Sequence, residues 1–203
     1  MDTPVFDASR PLTLNLRAPE GMKTINLRFP TDDEWIERQR RRKAIVKDLG
    51  RGMTETTVVN GEEVDAALVA KLRTEHEPEI DPFEAMKIME QVSQADVDDV
   101  LTEGDTFRVV LRVLGATTTH VLKMPSQKDA VEHQRSFARV LGLPYGRQEL
   151  RINIAPAGAL YKKLLVSAEG YEGPVPIVHQ AVAVKAAIDA LNNAFAEDRD
   201  ANF

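Results

Sequence analysis

The densest chemistry in this chain is Glu37-Arg38-Gln39-Arg40-Arg41-Arg42-Lys43, six charged side chains in seven positions. Cationic groups at this density can lie along nucleic-acid phosphates, each contact releasing counterions. Their acidic neighbours argue otherwise. Between residues 31 and 51, seven basic residues are accompanied by five acidic ones, Asp32, Asp33, Glu34, Glu37 and Asp48. Asp33, Glu37 and Arg41 are also spaced for intrahelical ion pairs. The run therefore reads first as a solvated, ion-paired helix and second as a protein-docking face, with phosphate binding third. Trp35, the single tryptophan, lies on the first turn of the same helix and either packs on a neighbouring hairpin or anchors a partner. Trp35, Arg40, Arg41 and Lys43 are the candidate partner-binding residues.

Other reactive side chains do not converge. His76, His120, His133 and His179 form no H-x-x-x-H or H-E-x-x-H pair, so helical metal ligation has no basis. His120 falls on the inward face of a strand and reads as a packed residue. Asp96, Asp98 and Asp99 resemble the start of a calcium loop, but Leu101 stands where that loop needs glycine and Phe107 where it needs glutamate. Gly50-Arg51-Gly52 lacks the Lys-Ser/Thr of a phosphate loop, and no G-x-G-x-x-G or G-x-S-x-G occurs. No catalytic, cofactor-binding or metal-ligating residues are assigned. The chain is expected not to be an enzyme and to need no cofactor.

The elements that position these residues follow from periodicity. Leu12, Leu14 and Leu16 alternate with polar residues, as do Ile25, Leu27 and Phe29, around a turn at Ala-Pro-Glu-Gly (18–21), which predicts a β-hairpin with one buried face. Pro30 stops the second strand, Thr31 is the candidate N-cap, and a helix is expected from Asp32 to Leu49, closed by Gly50. Thr54–Val59 reads as a strand and Val64–Leu72 as a helix. Asp81-Pro82 opens another helix, whose stripe is Phe83, Met86, Ile88 and Met89. Asp96–Glu103 reads as helix or linker.

The pattern then restarts. Phe107, Val109 and Leu111 face inward on one strand, Gly115-Ala116 turns, and His120, Leu122 and Met124 face inward on the next. Pro125-Ser126 caps a helix expected from Gln127 to Leu141. A slide of 95 residues aligns the two stretches without a gap, giving eight identities over 35 positions, among them Pro30 with Pro125 and Arg40 with Arg135. About two would arise at average composition. The strand at Gln148–Ile154, the helix at Ala159–Val166 and the helix opened by Val175-Pro176 then parallel the rest of the first half. The expectation is an α+β fold built by tandem duplication of a β-hairpin–helix–strand–helix–helix unit, with domains at 1–103 and 104–203. In this register Arg38 and Arg42 align with His133 and Phe137, which places both arginines toward packed faces and leaves Arg40, Arg41 and Lys43 outward.

Composition sets the class. The 203 residues carry a formal net charge of −6 and no cysteine, which excludes a disulfide scaffold, thiolate chemistry and Cys-based metal sites. Residues 1–103 hold 14 basic and 22 acidic residues, whereas 104–203 hold 12 and 10, so the halves present different surfaces. The N-terminal MDTPVFDASRPL predicts no signal peptide. No run of eighteen apolar residues occurs, so neither a membrane-spanning helix nor a membrane partner is expected.

The stretch from Leu27 to Gly52, LRFPTDDEWIERQRRRKAIVKDLGRG, resembles segments of tailed-phage or prophage proteins of the structural and tail-assembly group. The resemblance implies a non-enzymatic virion or tail-assembly component, located in the host cytoplasm or the virion, with protein partners. A duplicated unit offers two related but unequal faces to such partners, including further copies of itself. The alternative is a nucleic-acid-binding accessory or regulatory protein using the helix at 38–43; the overall negative charge weighs against it.

Overall fold

The structure, a computed structural model, describes residues 4–18, 21–50, 53–74, 80–143 and 147–200. The turn expected at 18–21 and the Gly50-Arg51-Gly52 segment fall partly outside these residues, and His76 falls wholly outside them. The fold is α+β. In chain order the first elements are β1 (Phe6–Asp7), β2 (Leu12–Ala18), β3 (Gly21–Leu27), α1 (Asp32–Arg41), β4 (Ala44–Gly50), β5 (Met53–Val58), α2 (Gly61–Leu72) and α3 (Pro82–Ser93). Then come β6 (Ala95–Glu103), β7 (Thr106–Val113), β8 (Ala116–Lys123), α4 (Gln127–Phe137), β9 (Ala138–Gly142), β10 (Arg147–Ile152), α5 (Ala155–Leu164), β11 (Leu165–Glu169), β12 (Tyr171–Glu172) and α6 (Ile177–Asp200). The order hairpin, helix, two strands, helix occurs twice, from β2 to α2 and from β7 to α5; a further helix follows each, α3 directly and α6 after the strands β11 and β12. Corresponding elements start 94 or 95 residues apart.

The chain divides into two compact units that do not coincide with the sequence halves 1–103 and 104–203. One comprises residues 1–7, 94–137 and 154–203; the other comprises 8–93 and 138–153. The β9–β10 hairpin, coded in the second half, thus belongs to the same unit as β4 and β5.

In the unit of 8–93 and 138–153, the β2–β3 hairpin buries Leu14, Leu16, Ile25 and Leu27. On its other face Thr13 bonds Asn26 at 2.8 Å and Thr24 bonds Asn15 at 2.9 Å, a cross-strand polar ladder. Val64, Leu68, Val69 and Leu72 of α2 and Ala85, Ile88, Met89 and Val92 of α3 complete this core. Asp81 caps α3 by accepting from the Phe83 and Glu84 amides at 2.8 and 2.9 Å. Phe83 is not on the buried stripe. It is exposed, with the Lys87 ammonium 4.3 Å from its ring centroid. Ala85 and Val92 take the inward positions instead.

In the other unit, β7 and β8 are the inner strands of an antiparallel sheet ordered β11-β8-β7-β6. Phe107, Val109, Leu111 and Val113 point inward from β7. Val113 pairs Ala116, so the turn is Leu114-Gly115 rather than Gly115-Ala116, and both turn residues have positive φ, 47° and 84°. Met124 lies just past β8 and is exposed. Asp96–Glu103 is neither helix nor linker: it lies within β6, an edge strand paired along its length with β7. Its acidic side chains point to solvent.

Both expected amphipathic helices end early. α1 stops at Arg41, not Leu49, and α4 stops at Phe137, not Leu141. Asn60 explains the first: its amide donates to the Arg41 carbonyl at 2.9 Å while its Oδ1 accepts from the Lys43 N–H at 2.7 Å. That clamp turns the chain into β4, where Ile45 and Val46 favour a strand. Each half of the sequence therefore holds two strands where one was expected between the helices.

Candidate interaction surface

α1 is fixed at its start by a capping box, in which Glu34 Oε2 accepts from the Thr31 amide at 2.9 Å and the Glu34 amide donates to Thr31 Oγ1 at 3.4 Å. Arg28 adds two bonds to the Glu34 carboxylate, at 2.8 and 2.6 Å, and these hold its pKa down at about 2. Trp35 and Arg38 form the inward face. Trp35 is fully buried, tilted against Phe29 with centroids 6.0 Å apart, so it is a core residue and not a surface anchor. Arg38 is 5% exposed and makes a bidentate pair with Asp65 of α2 at 2.7 and 3.0 Å. Its guanidinium carbon also sits 5.5 Å from the centroid of the Trp35 ring. Arg42 is half-buried, and burial, followed by the charge on Arg38, pushes its guanidinium below the usual arginine range. Arg40, Arg41 and Lys43 are exposed. Of the four candidate partner-binding residues, the structure leaves these three together on the surface and withdraws Trp35.

Beyond Lys43 lies a feature that the candidate residues do not include. β4, β5, β9 and β10 form one antiparallel sheet ordered β5-β4-β10-β9. Among the described residues of these strands, not one side chain is buried. The cross-strand row Val140, Leu150, Ala44 and Val58 places apolar side chains on one face, with Ile152 and Val46 in flanking rows. The opposite face carries Arg139, Arg151, Glu149, Arg147, Lys47 and Glu55, with Ile45 and Leu141 among them. Val58, Val140 and Leu141 are all exposed, as is Val59 just past β5. A sheet with one apolar face normally buries it. Here Val58 and Val140, at the two ends of the row, are exposed, while Ala44 and Leu150 between them are half-buried.

Two shallow clefts flank the paired helices. One of about 170 Å³ lies between α1 and α2, lined by Glu34, Glu37, Arg41, Val64 and Leu68 among others. The other, about 410 Å³, lies between α4 and α5, lined by Asp129, Glu132, His133, Ser136 and Lys163 among others. These linings match at a spacing of 95, Glu34 with Asp129 and Glu37 with Glu132. Two of these carboxylates are held by structural bonds: Glu34 by Arg28 and Thr31, and Asp129 by Ser126 Oγ at 2.7 Å and Lys163 at 2.7 Å.

The unit containing β7 and β8 also holds a buried polar chain. Tyr161 Oη lies 2.8 Å from His120 Nδ1, His120 Nε2 lies 3.1 Å from Tyr171 Oη, and Tyr171 Oη lies 3.3 Å from His179 Nδ1. Tyr171 also donates to Thr118 Oγ1 at 3.2 Å. Burial pushes His120 down to about 4 and His179 down to about 3, the latter helped by His120. Burial likewise pushes Tyr171 up to about 12. All four rings are thus neutral near pH 7, and the chain of bonds joins β8, α5, β12 and α6 inside the core. Of its members only His120 was legible as an inward residue. The tyrosines and His179 carry no local spacing signal, because their elements meet only in the fold.

Among the described residues no group of three or more His, Asp or Glu side chains is arranged to hold a metal ion. Among them, too, no helix is long and apolar enough to cross a membrane. Comparison with protein-family models, curated proteins and solved structures finds no match for this chain.

Proposed function

We propose that this chain is a structural or assembly protein acting through protein–protein contacts, and that it belongs to the virion or tail-assembly apparatus of a tailed phage or prophage. The observation that carries the reading is the β5-β4-β10-β9 sheet, whose described side chains are all exposed or half-buried and whose apolar row Val140-Leu150-Ala44-Val58 has both its end residues exposed. Exposed apolar surface of this kind marks sites of association. The phage assignment draws on the resemblance of Leu27–Gly52, and the recurrence of element order supports a tandem duplication as the origin of the two halves. Exposure of Arg40, Arg41 and Lys43 favours a second reading, a nucleic-acid-binding accessory protein.

One experiment separates them. Lysate from cells producing the chain is sedimented through a density gradient, with and without nuclease, and the chain is located by antibody. Co-sedimentation with protein particles, unchanged by nuclease, is expected. A chain confined to the free-protein fractions overturns the proposal, and a fast-sedimenting position lost on nuclease treatment favours the nucleic-acid reading.

A further inference from the structure

The edges of the open sheet say what covers them. β5 and β9 are its outermost strands, and neighbours along it alternate in direction, because β5–β4, β4–β10 and β10–β9 all pair antiparallel. A β5 strand from another copy would therefore run antiparallel to β9, and the alternation would continue without a break.

The internal repeat supplies the register. β4 corresponds to β9 and β5 to β10, each starting 94 residues apart. The chain already joins its two halves by pairing β4 with β10, setting Ala44 opposite Leu150 and Ile45 opposite Glu149. The same contact with the repeats exchanged is β9 with β5. One chain cannot make it, because two strands separate them and neighbouring strands lie about 4.8 Å apart. Carried across at the 95-residue spacing of the aligned sequences, the β4–β10 register sets Arg139 opposite Glu55 and Val140 opposite Thr54. These pairs put opposite charges together on the polar face and set Val140 beside Thr54 on the other face, which Thr54 shares with Val58.

The edges also differ from those of the other sheet. β6 and β11 pair their neighbours through register shifts, and β6 carries Asp96, Asp98, Asp99 and Glu103, devices that block edge-to-edge pairing. β9 pairs β10 without a shift and has one charge, Arg139; β5 has one charge, Glu55, and its single register shift against β4, between Asp48 and Gly50, lies at its start.

We infer that this protein assembles head to tail, β9 of one copy adding to β5 of the next in the register that sets Arg139 opposite Glu55. The inference rests on the assembly reading above and names a second copy of this chain as the partner. Such a contact is heterologous, so it propagates into a closed ring or an open filament.

The absence of cysteine makes the test direct. Opposed residues in an antiparallel pair have Cα atoms about 4.5–5.5 Å apart, within reach of a disulfide, whereas β5 and β9 of one chain are too far apart. The full-length E55C/R139C variant, oxidised and run without reductant, is expected to give a ladder of dimer, trimer and higher species. The single variants E55C and R139C are expected to remain at the mass of one chain. Sedimentation velocity of the cysteine-free protein should show reversible association. Arg139→Glu or Glu55→Lys should weaken it about three- to tenfold, and the two changes together should restore it. A cysteine-free protein that stays monomeric, with no ladder from the double-cysteine variant, overturns the inference. So does a disulfide dimer formed by E55C alone, which would mean β5 pairs with β5. A purified chain that stays monomeric yet co-sediments with particles in the lysate would remove this inference and leave the assembly proposal standing.

Discussion

Removing the Asp65 carboxylate would leave the Arg38 guanidinium buried against Trp35 without its bidentate partner. An unpaired buried charge costs far more than the net worth of the pair, so Asp65→Ala should destabilise the protein by about 3–5 kcal/mol. At a spacing of 95 residues the second half has buried His133 and Leu160, a packing of the same helix pair without an ion pair. Replacing both residues, Arg38→Met with Asp65→Leu, should recover most or all of the loss in urea unfolding. A double variant as unstable as Asp65→Ala would show that packing, not charge, governs the site. The histidines make a separate pH prediction. In the unfolded chain they protonate near pH 6.5; in the fold His120 waits until about 4 and His179 until about 3. Above pH 6.5 both states are neutral and nothing changes. Below it the unfolded state binds more protons, so stability falls as pH drops, by about 1.4 kcal/mol per pH unit per histidine, until the folded values are reached. His179→Phe should flatten that slope in denaturant titrations between pH 6 and 4. An unchanged slope would exclude His179 as a cause.

Within the β7–β8 hairpin, Leu114 occupies left-handed backbone where its Cβ crowds the following carbonyl, at a cost of roughly 1–2 kcal/mol. Asn-Gly is the favoured pair for a two-residue turn with both φ positive, so Leu114→Asn should raise the melting temperature by a few degrees. A lower melting temperature would mean that Leu114 contributes packing greater than its strain. The two hairpins, the N-caps Thr31, Asp81 and Ser126, and the inward placement of Arg38, half-buried Arg42 and His120 were legible in the sequence, because period-two alternation and capping chemistry are local signals. β4 and β9 were not. Each follows a helix with no glycine or proline between them, and the apolar residues at 44–46 extend the helical pattern of α1 as readily as they begin a strand. What decides the matter for α1 is Asn60, nineteen residues away from the carbonyl it caps. β6 was missed for another reason. Its acidic side chains look like a solvated linker when the neighbouring strand is unknown.

The interleaving of the two compact units makes a prediction for the whole molecule. β4–β5 is completed only by the hairpin at 138–153, and an isolated two-stranded hairpin is marginal in water. A fragment of residues 1–103 should therefore keep protected amides in β2, β3, α2 and α3 while those of β4 and β5 exchange rapidly. Adding a peptide of residues 138–153 should restore their protection. Strong protection of β4 and β5 in the fragment alone would contradict the role assigned to β10. The candidate surface was only partly readable from sequence on the same account: Arg40, Arg41 and Lys43 are adjacent in the chain, whereas the open sheet draws its strands from segments about ninety residues apart. That separation also has a consequence in time. During synthesis residues 8–93 leave the ribosome first, and residues 94–137, which belong to the other unit, follow before the missing hairpin arrives. At about 5–20 residues per second the delay is roughly 3–12 s. For that interval the inner edge of β4 is a bare template on a nascent chain, beside neighbouring nascent chains on the same message. The pace of elongation through residues 94–153 thus governs whether β4 first meets its own β10 or a stranger's.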